Sequence, residues 1–149
     1  MSVTDEEVHR VVWTVMRLSR VLACSDSGLT MPQHRLLTMI SRGDERSSRI
    51  ATELAVSKPT VSALVEALVG AGHLTRTTDP DDRRVVRLTL THDGHRALAH
   101  ADAALVARLR PVVEGMRAPK RTVAVFDEVA SALDDRRAGT PPERVAAGR

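Results

Sequence analysis

The chain has 149 residues, 42% hydrophobic and 28% charged, with a formal net charge of +3. That length suits one compact unit with helical extensions, built on an aliphatic core, because Trp13 and Phe126 are the only aromatic residues. Readers of single-stranded nucleic acid that stack bases on rings are excluded, and so are aromatic cation cages.

The single cysteine, Cys24, permits neither an intramolecular disulfide nor a multi-cysteine zinc ribbon. No apolar run is long enough to cross a bilayer, and the acidic start Asp5-Glu6-Glu7 is unlike a signal peptide. A cytoplasmic protein without a membrane partner is expected. The 22 basic residues are 20 Arg and 2 Lys. Arg offers a planar fork of donors for phosphates and base edges, although codon bias produces the same richness.

In chain order, Val8, Val11, Val12, Val15, Leu18, Val21 and Leu22 predict a helix over 5–24. Ser25-Asp26-Ser27-Gly28 breaks it. Thr30-x-x-Gln33 is a capping box with Pro32 in the first turn, and the helix it opens carries Leu36, Leu37 and Ile40. A short helix over about 48–55 turns Ile50, Ala51 and Leu54 inward. Another begins with Ser57 as N-cap and Pro59 in its first turn, burying Val61, Leu64, Val65 and Leu68, and ends at Gly70-Ala71-Gly72.

From His73 the period changes to two. Residues 74–77 and 85–90 bracket the polar stretch Thr78-Asp79-Pro80-Asp81-Asp82-Arg83, which predicts a β-hairpin. Thr91 is a candidate cap for a long helix through Leu98, Ala101, Leu105, Leu109, Val112 and Val113, with a kink expected at Pro111. A last helix after Pro119 shows Val123, Phe126, Val129, Ala130 and Leu133. From Arg137 onward the chain reads as a solvated tail.

The helix pair around Ala55-Val56-Ser57 has helix-turn-helix spacing, and the small Ala51 allows a steep crossing. Its second helix exposes Lys58, Thr60, Ser62, Ala63 and Glu66. Short polar side chains at its N-terminus suit base edges in a major groove, while an ordinary helical hairpin with a wet polar face is the plainer alternative. The hairpin that follows makes the unit a winged helix-turn-helix. Arg83 and Arg84 on its loop suit a minor groove, and Asp82 is placed to orient one of them. From Arg46 to Thr91 there are seven Lys/Arg and five Asp/Glu, a net of +2, so binding depends on placed contacts more than bulk charge.

Asp82-x-Arg84, five residues and then Leu90-Thr91 reproduce the wing signature of MarR-type (multiple-antibiotic-resistance) regulators. Gly72-His73-Leu74-x-Arg76 resembles that family's exit from helix into wing, and Asp79-Pro80-x-Asp82-Arg83-Arg84 resembles its wing tip. The resemblance covers about 6–135. It implies a mostly α fold: a winged helix-turn-helix with a two-stranded β-wing and N- and C-terminal dimerisation helices. Residues 1–29 would form the first dimerisation helix, 30–91 the DNA-binding domain, 92–137 the C-terminal helices and 138–149 a disordered tail.

By that likeness the chain is a homodimer that binds a pseudo-palindromic operator on double-stranded DNA, as a repressor released by a small molecule. Ser57, Lys58, Thr60 and Ser62 would read the major groove and Arg84 the minor groove, with Arg76, Arg83 and Arg87 on phosphates. Val8, Val12, Trp13, Val123, Phe126 and Leu133 would line the dimer contact. An effector pocket is expected where the first, second and fifth helices meet the winged domain, with Met16, His34, Arg35 and Met39 as lining. The aromatic-poor composition gives such a pocket few stacking surfaces.

The remaining motifs carry less. Cys24 sits at the far end of the first helix, whereas the peroxide-sensing branch places its reactive cysteine early and beside tyrosines, so a plain thiol is expected. His92 and His95 are spaced i, i+3 without a placed carboxylate, and neither a metal nor a cofactor is expected. His9, His73 and His100 read as surface or interface residues. No nucleophile elbow, phosphate-binding loop or Cys-x-x-Cys is present, so no catalysis is expected. Two alternatives remain: a dimeric ligand-binding or protein-interaction module that does not bind DNA, and a zinc-responsive repressor.

Overall fold

The computed structural model describes residues 2–23, 28–43, 50–51, 54, 56–78 and 86–139, with side chains to 136. Two units, 1–109 and 110–149, are each compact within themselves. In the first, α1 (Asp5–Ala23) starts on a capping box that escapes a period-based reading. Glu7 N–H donates to Thr4 Oγ1 (3.3 Å), while Thr4 N–H and its hydroxyl both donate to Glu7 Oε2 (2.9 Å). No residue of α1 is buried, so its valine stripe lies open in the single chain.

Helix α2 (Met31–Ser41) opens on the expected box. Gln33 N–H donates to Thr30 Oγ1 (3.4 Å) and Thr30 N–H to Gln33 Oε1 (2.9 Å). Its inner face buries Leu36, Leu37 and Ile40. Ile50, Ala51 and Leu54 are helical and buried, as the short-helix pattern requires, and α3 (Lys58–Gly70) buries Val61, Val65 and Leu68. The chain then turns through Gly72, whose φ of 76° is a left-handed conformation that glycine adopts without a Cβ penalty.

Strands β1 (Leu74–Thr78) and β2 (Val86–Leu90) pair antiparallel, from Leu74 opposite Leu90 to Thr78 opposite Val86. Leu74, Leu88 and Leu90 join the core, and every other residue of the two strands is exposed. The ribbon is thus anchored at its base and projects at its far end. Leu36, Leu37, Ile50, Leu68 and Leu74 are the largest fully buried side chains, which places the core under the helix-turn-helix and the base of the wing. Leucine and isoleucine burial of this kind stabilises by about 1.5–3 kcal/mol per side chain, which suits a core without rings.

Helix α4 (His92–Glu114) contributes Leu98 and Ala101 to the first unit and continues helical through Pro111. Thr91 caps it: Gly94 N–H donates to Thr91 Oγ1 (2.9 Å). Helix α5 (Pro119–Gly139) lies in the second unit, and its helical bounds extend past Arg137, where the sequence reading begins the tail. On it Val123, Phe126, Val129 and Leu133 are exposed. Among the described residues no helix is long and apolar enough to cross a membrane.

Candidate nucleic-acid interface

The face of α3 opposite the core is built by its own cap. Ser57 holds an extended backbone and accepts from Thr60 N–H (3.3 Å), and the Ser57 and Thr60 hydroxyls lie 2.8 Å apart. This satisfies one of the amides left over at a helix start and ties both hydroxyls to one geometry. Ser57, Lys58, Thr60, Ser62, Ala63 and Glu66 are all exposed, while Val61 and Val65 point inward. The structure therefore brings Ser57, Lys58, Thr60 and Ser62 to one solvent-facing helix start. The helix dipole favours an anionic partner there, while Pro59 has no N–H and the Thr60 and Val61 amides are taken up by Ser57.

Arg76 stands beside this face on β1. Its Nη2 lies 4.0 Å from Glu66 Oε1 on α3, with both side chains largely exposed. Sequence reasoning treats Arg76 as a phosphate contact and misses that Glu66 competes for it. Strand β1 leaves α3 by a tight turn, and only that three-dimensional return pairs residues ten apart. Arg87 is exposed on β2 and makes an interaction of its own. Asp82, Arg83 and Arg84 lie outside the described residues, as does Cys24.

The four residues expected to line an effector pocket do not share one environment. Met16 is exposed on α1, and Arg35 is exposed with an interaction of its own. Met39 packs against the core cluster. His34 Nε2 meets Asp102 Oδ1 at 2.7 Å, linking α2 to α4. His73 is half-buried at the corner between α3 and β1, more enclosed than a surface reading implies.

The residues expected at a subunit contact are open in the single chain: Val8, Val12 and Trp13 on α1, and Val123, Phe126 and Leu133 on α5. Trp13 is 57% and Phe126 51% exposed. Trp13 Nε1–H donates to His9 Nε2 (2.8 Å), so the largest side chain of α1 is held against its helix. Among the described residues, no three His, Cys, Asp or Glu side chains are grouped to hold a metal ion.

These elements define a winged helix-turn-helix protein with long flanking helices. The family model for the MarR family matches residues 27–85 of it. An uncharacterized HTH-type transcriptional regulator of Bacillus subtilis, YpoP, is 30% identical over 76 residues, 50% of this chain and 54% of that protein. The chain thus aligns with about half the length of that curated relative.

Among solved structures, CouR from Rhodococcus jostii RHA1, bound to p-coumaroyl-CoA, superposes with a TM-score of 0.72 at 20% identity, covering 93% of this chain and 96% of CouR. BpsR of Bordetella bronchiseptica, whose DNA binding is regulated by 6-hydroxynicotinic acid, superposes with a TM-score of 0.65 at 21% identity, covering 86% of this chain and 99% of BpsR. Both show that the fold is shared almost end to end. The chain is therefore similar in fold to both proteins.

Proposed function

We propose that the chain is a sequence-specific regulator of transcription that binds a pseudo-palindromic operator as a homodimer, represses from it, and is released by a small molecule. The observation that carries this reading is the exposed start of α3, where Ser57, Lys58, Thr60 and Ser62 face solvent above a buried apolar side and next to a projecting wing. Lys58 supplies charge, the hydroxyls supply donors and acceptors, and the helix start supplies its dipole, a combination that a major groove accepts. Arg84 is assigned to the minor groove on the wing signature, oriented by Asp82, with Arg76, Arg83 and Arg87 on phosphates.

A second copy accounts for the apolar faces left open on α1 and α5. Val8, Val12 and Trp13 on one, and Val123, Phe126 and Leu133 on the other, are more apolar than water-facing helices require. Two-fold pairing sets two recognition helices about 34 Å apart, one turn of duplex. A gel shift with duplexes from the gene's own upstream region tests the reading. A retarded band that Lys58→Ala weakens supports it, and the absence of any shift at low salt refutes it.

A further inference from the structure

We propose that Glu66 limits the affinity of the DNA-facing surface by competing with DNA phosphate for Arg76. The inference deepens the proposed DNA-binding role and rests on it. Helix α3 and strands β1 and β2 carry four charged side chains: Lys58, Glu66, Arg76 and Arg87. Three are cations, as a surface that meets a polyanion requires. Glu66 is the exception. It follows Ser62 by four residues and is exposed, so it shares the face of that residue one turn further along the helix.

The register of the ribbon brings the two charges together. Leu74 and Arg76 alternate with Thr75 and Thr77 along β1, and Arg76 stands opposite Leu88 in the ladder. Arg76 therefore leaves the ribbon on the side of the buried Leu74, Leu88 and Leu90, while Thr75, Thr77 and Arg87 take the other side. From there its guanidinium reaches back to α3, where Nη2 lies 4.0 Å from Glu66 Oε1. A phosphate brought to Arg76 in the notch between helix and wing also meets Glu66.

The contact is weak enough to exchange. Side-chain exposures of 44% for Arg76 and 70% for Glu66 leave both heads in water, and 4.0 Å is too long for a hydrogen bond. A phosphate offers Arg76 two parallel charge-assisted hydrogen bonds, which are shorter and stronger. DNA binding thus trades Glu66 for a phosphate and leaves the carboxylate without its cation, at a cost in affinity. Because Glu66 already screens Arg76 in the free protein, the salt dependence of binding is shallower than the cations alone would give. Glu66 is therefore a positioning residue that acts through Arg76. A carboxylate that instead took a cytosine amino group would strengthen binding, which is the opposite sign.

The test is a double-mutant cycle on the full chain, read by fluorescence anisotropy at several salt concentrations. The probes are a duplex from the gene's own upstream region and a random-sequence duplex. Glu66→Gln should bind both about fivefold more tightly at low salt, with a salt slope steeper by up to about one phosphate contact. In an Arg76→Gln background the same change should gain less than about twofold. Urea melts check that each variant keeps its fold, since loss of an exposed pair changes stability little. Weaker or unchanged binding by Glu66→Gln, or an equal gain in both backgrounds, overturns the proposal and leaves the DNA-binding reading in place. Absence of binding by every member of the cycle overturns that reading and the proposal with it.

Discussion

Gly94, in the first turn of α4, packs so closely on the main-chain carbonyl of His73 that a Cβ there would overlap the oxygen. The same carbonyl accepts from Thr91 N–H (3.0 Å), and Thr91 Oγ1 donates to Gly72 O (2.6 Å) while accepting from Gly94 N–H (2.9 Å). Backbone and one hydroxyl thus join the end of α3 to the start of α4. This joint fixes the start of α4 against the α3–β1 corner.

Gly94→Ala should therefore destabilise the protein by about 1–3 kcal/mol through overpacking, although alanine is the better helix former by about 1 kcal/mol. Urea unfolding measures it. An unchanged or raised midpoint would mean that the two segments do not approach this closely.

Ser57 and Lys58 separate folding from recognition. Ser57→Ala removes the cap of α3 and should lower stability by about 1 kcal/mol as well as weakening DNA binding. Lys58→Ala touches no packing and should change stability by less than about 0.5 kcal/mol. Its effect falls on affinity, with the salt dependence of binding reduced by about one phosphate contact. Fluorescence anisotropy across several salt concentrations, beside urea melts, distinguishes the two.

The apolar faces of α1 and α5 predict an assembly. Val12→Arg and Phe126→Arg each place a charge on a face assigned to the second copy, and each should shift sedimentation from dimer toward monomer. If both variants sediment as the parent does, those faces are not the contact.

Glu7 gives a direction with pH. Hydrogen bonds from the backbone and hydroxyl of Thr4 hold its carboxyl below the ordinary value of 4.5. A carboxyl depressed in the folded state stabilises at pH above its unfolded value, and that contribution is lost as pH falls through the folded value. The protection factors of amides at the start of α1, which correct for the intrinsic pH dependence of exchange, should thus fall on acidification below pH 4.5 in the parent. Glu7→Gln should remove that acid-dependent component.

Local features were legible in the residues. Thr30-x-x-Gln33, Ser57 with Pro59, and Thr91 announce helix starts because a cap is a contact between near neighbours. The hairpin was legible because Leu74, Leu88 and Leu90 alternate with polar residues. What covers a face was less legible. The periodicity of α1 marks a stripe, yet a stripe looks alike whether its own chain or another one buries it.

The pairings that build the site's surroundings were least legible. Glu66 with Arg76, His34 with Asp102, and His73 beneath the start of α4 depend on where distant segments return. One signal was available: a glycine in the first turn of a long helix, where alanine is favoured, marks a close approach.

The central claim is sequence-specific recognition by a two-fold pair of α3 helices, and selection of bound sequences from random duplex DNA tests it most directly. The account predicts an enriched inverted repeat with half-sites about 10 bp apart, centre to centre, lost or degraded with Lys58→Ala. Recovery of no motif, or of one without two-fold symmetry, would contradict it.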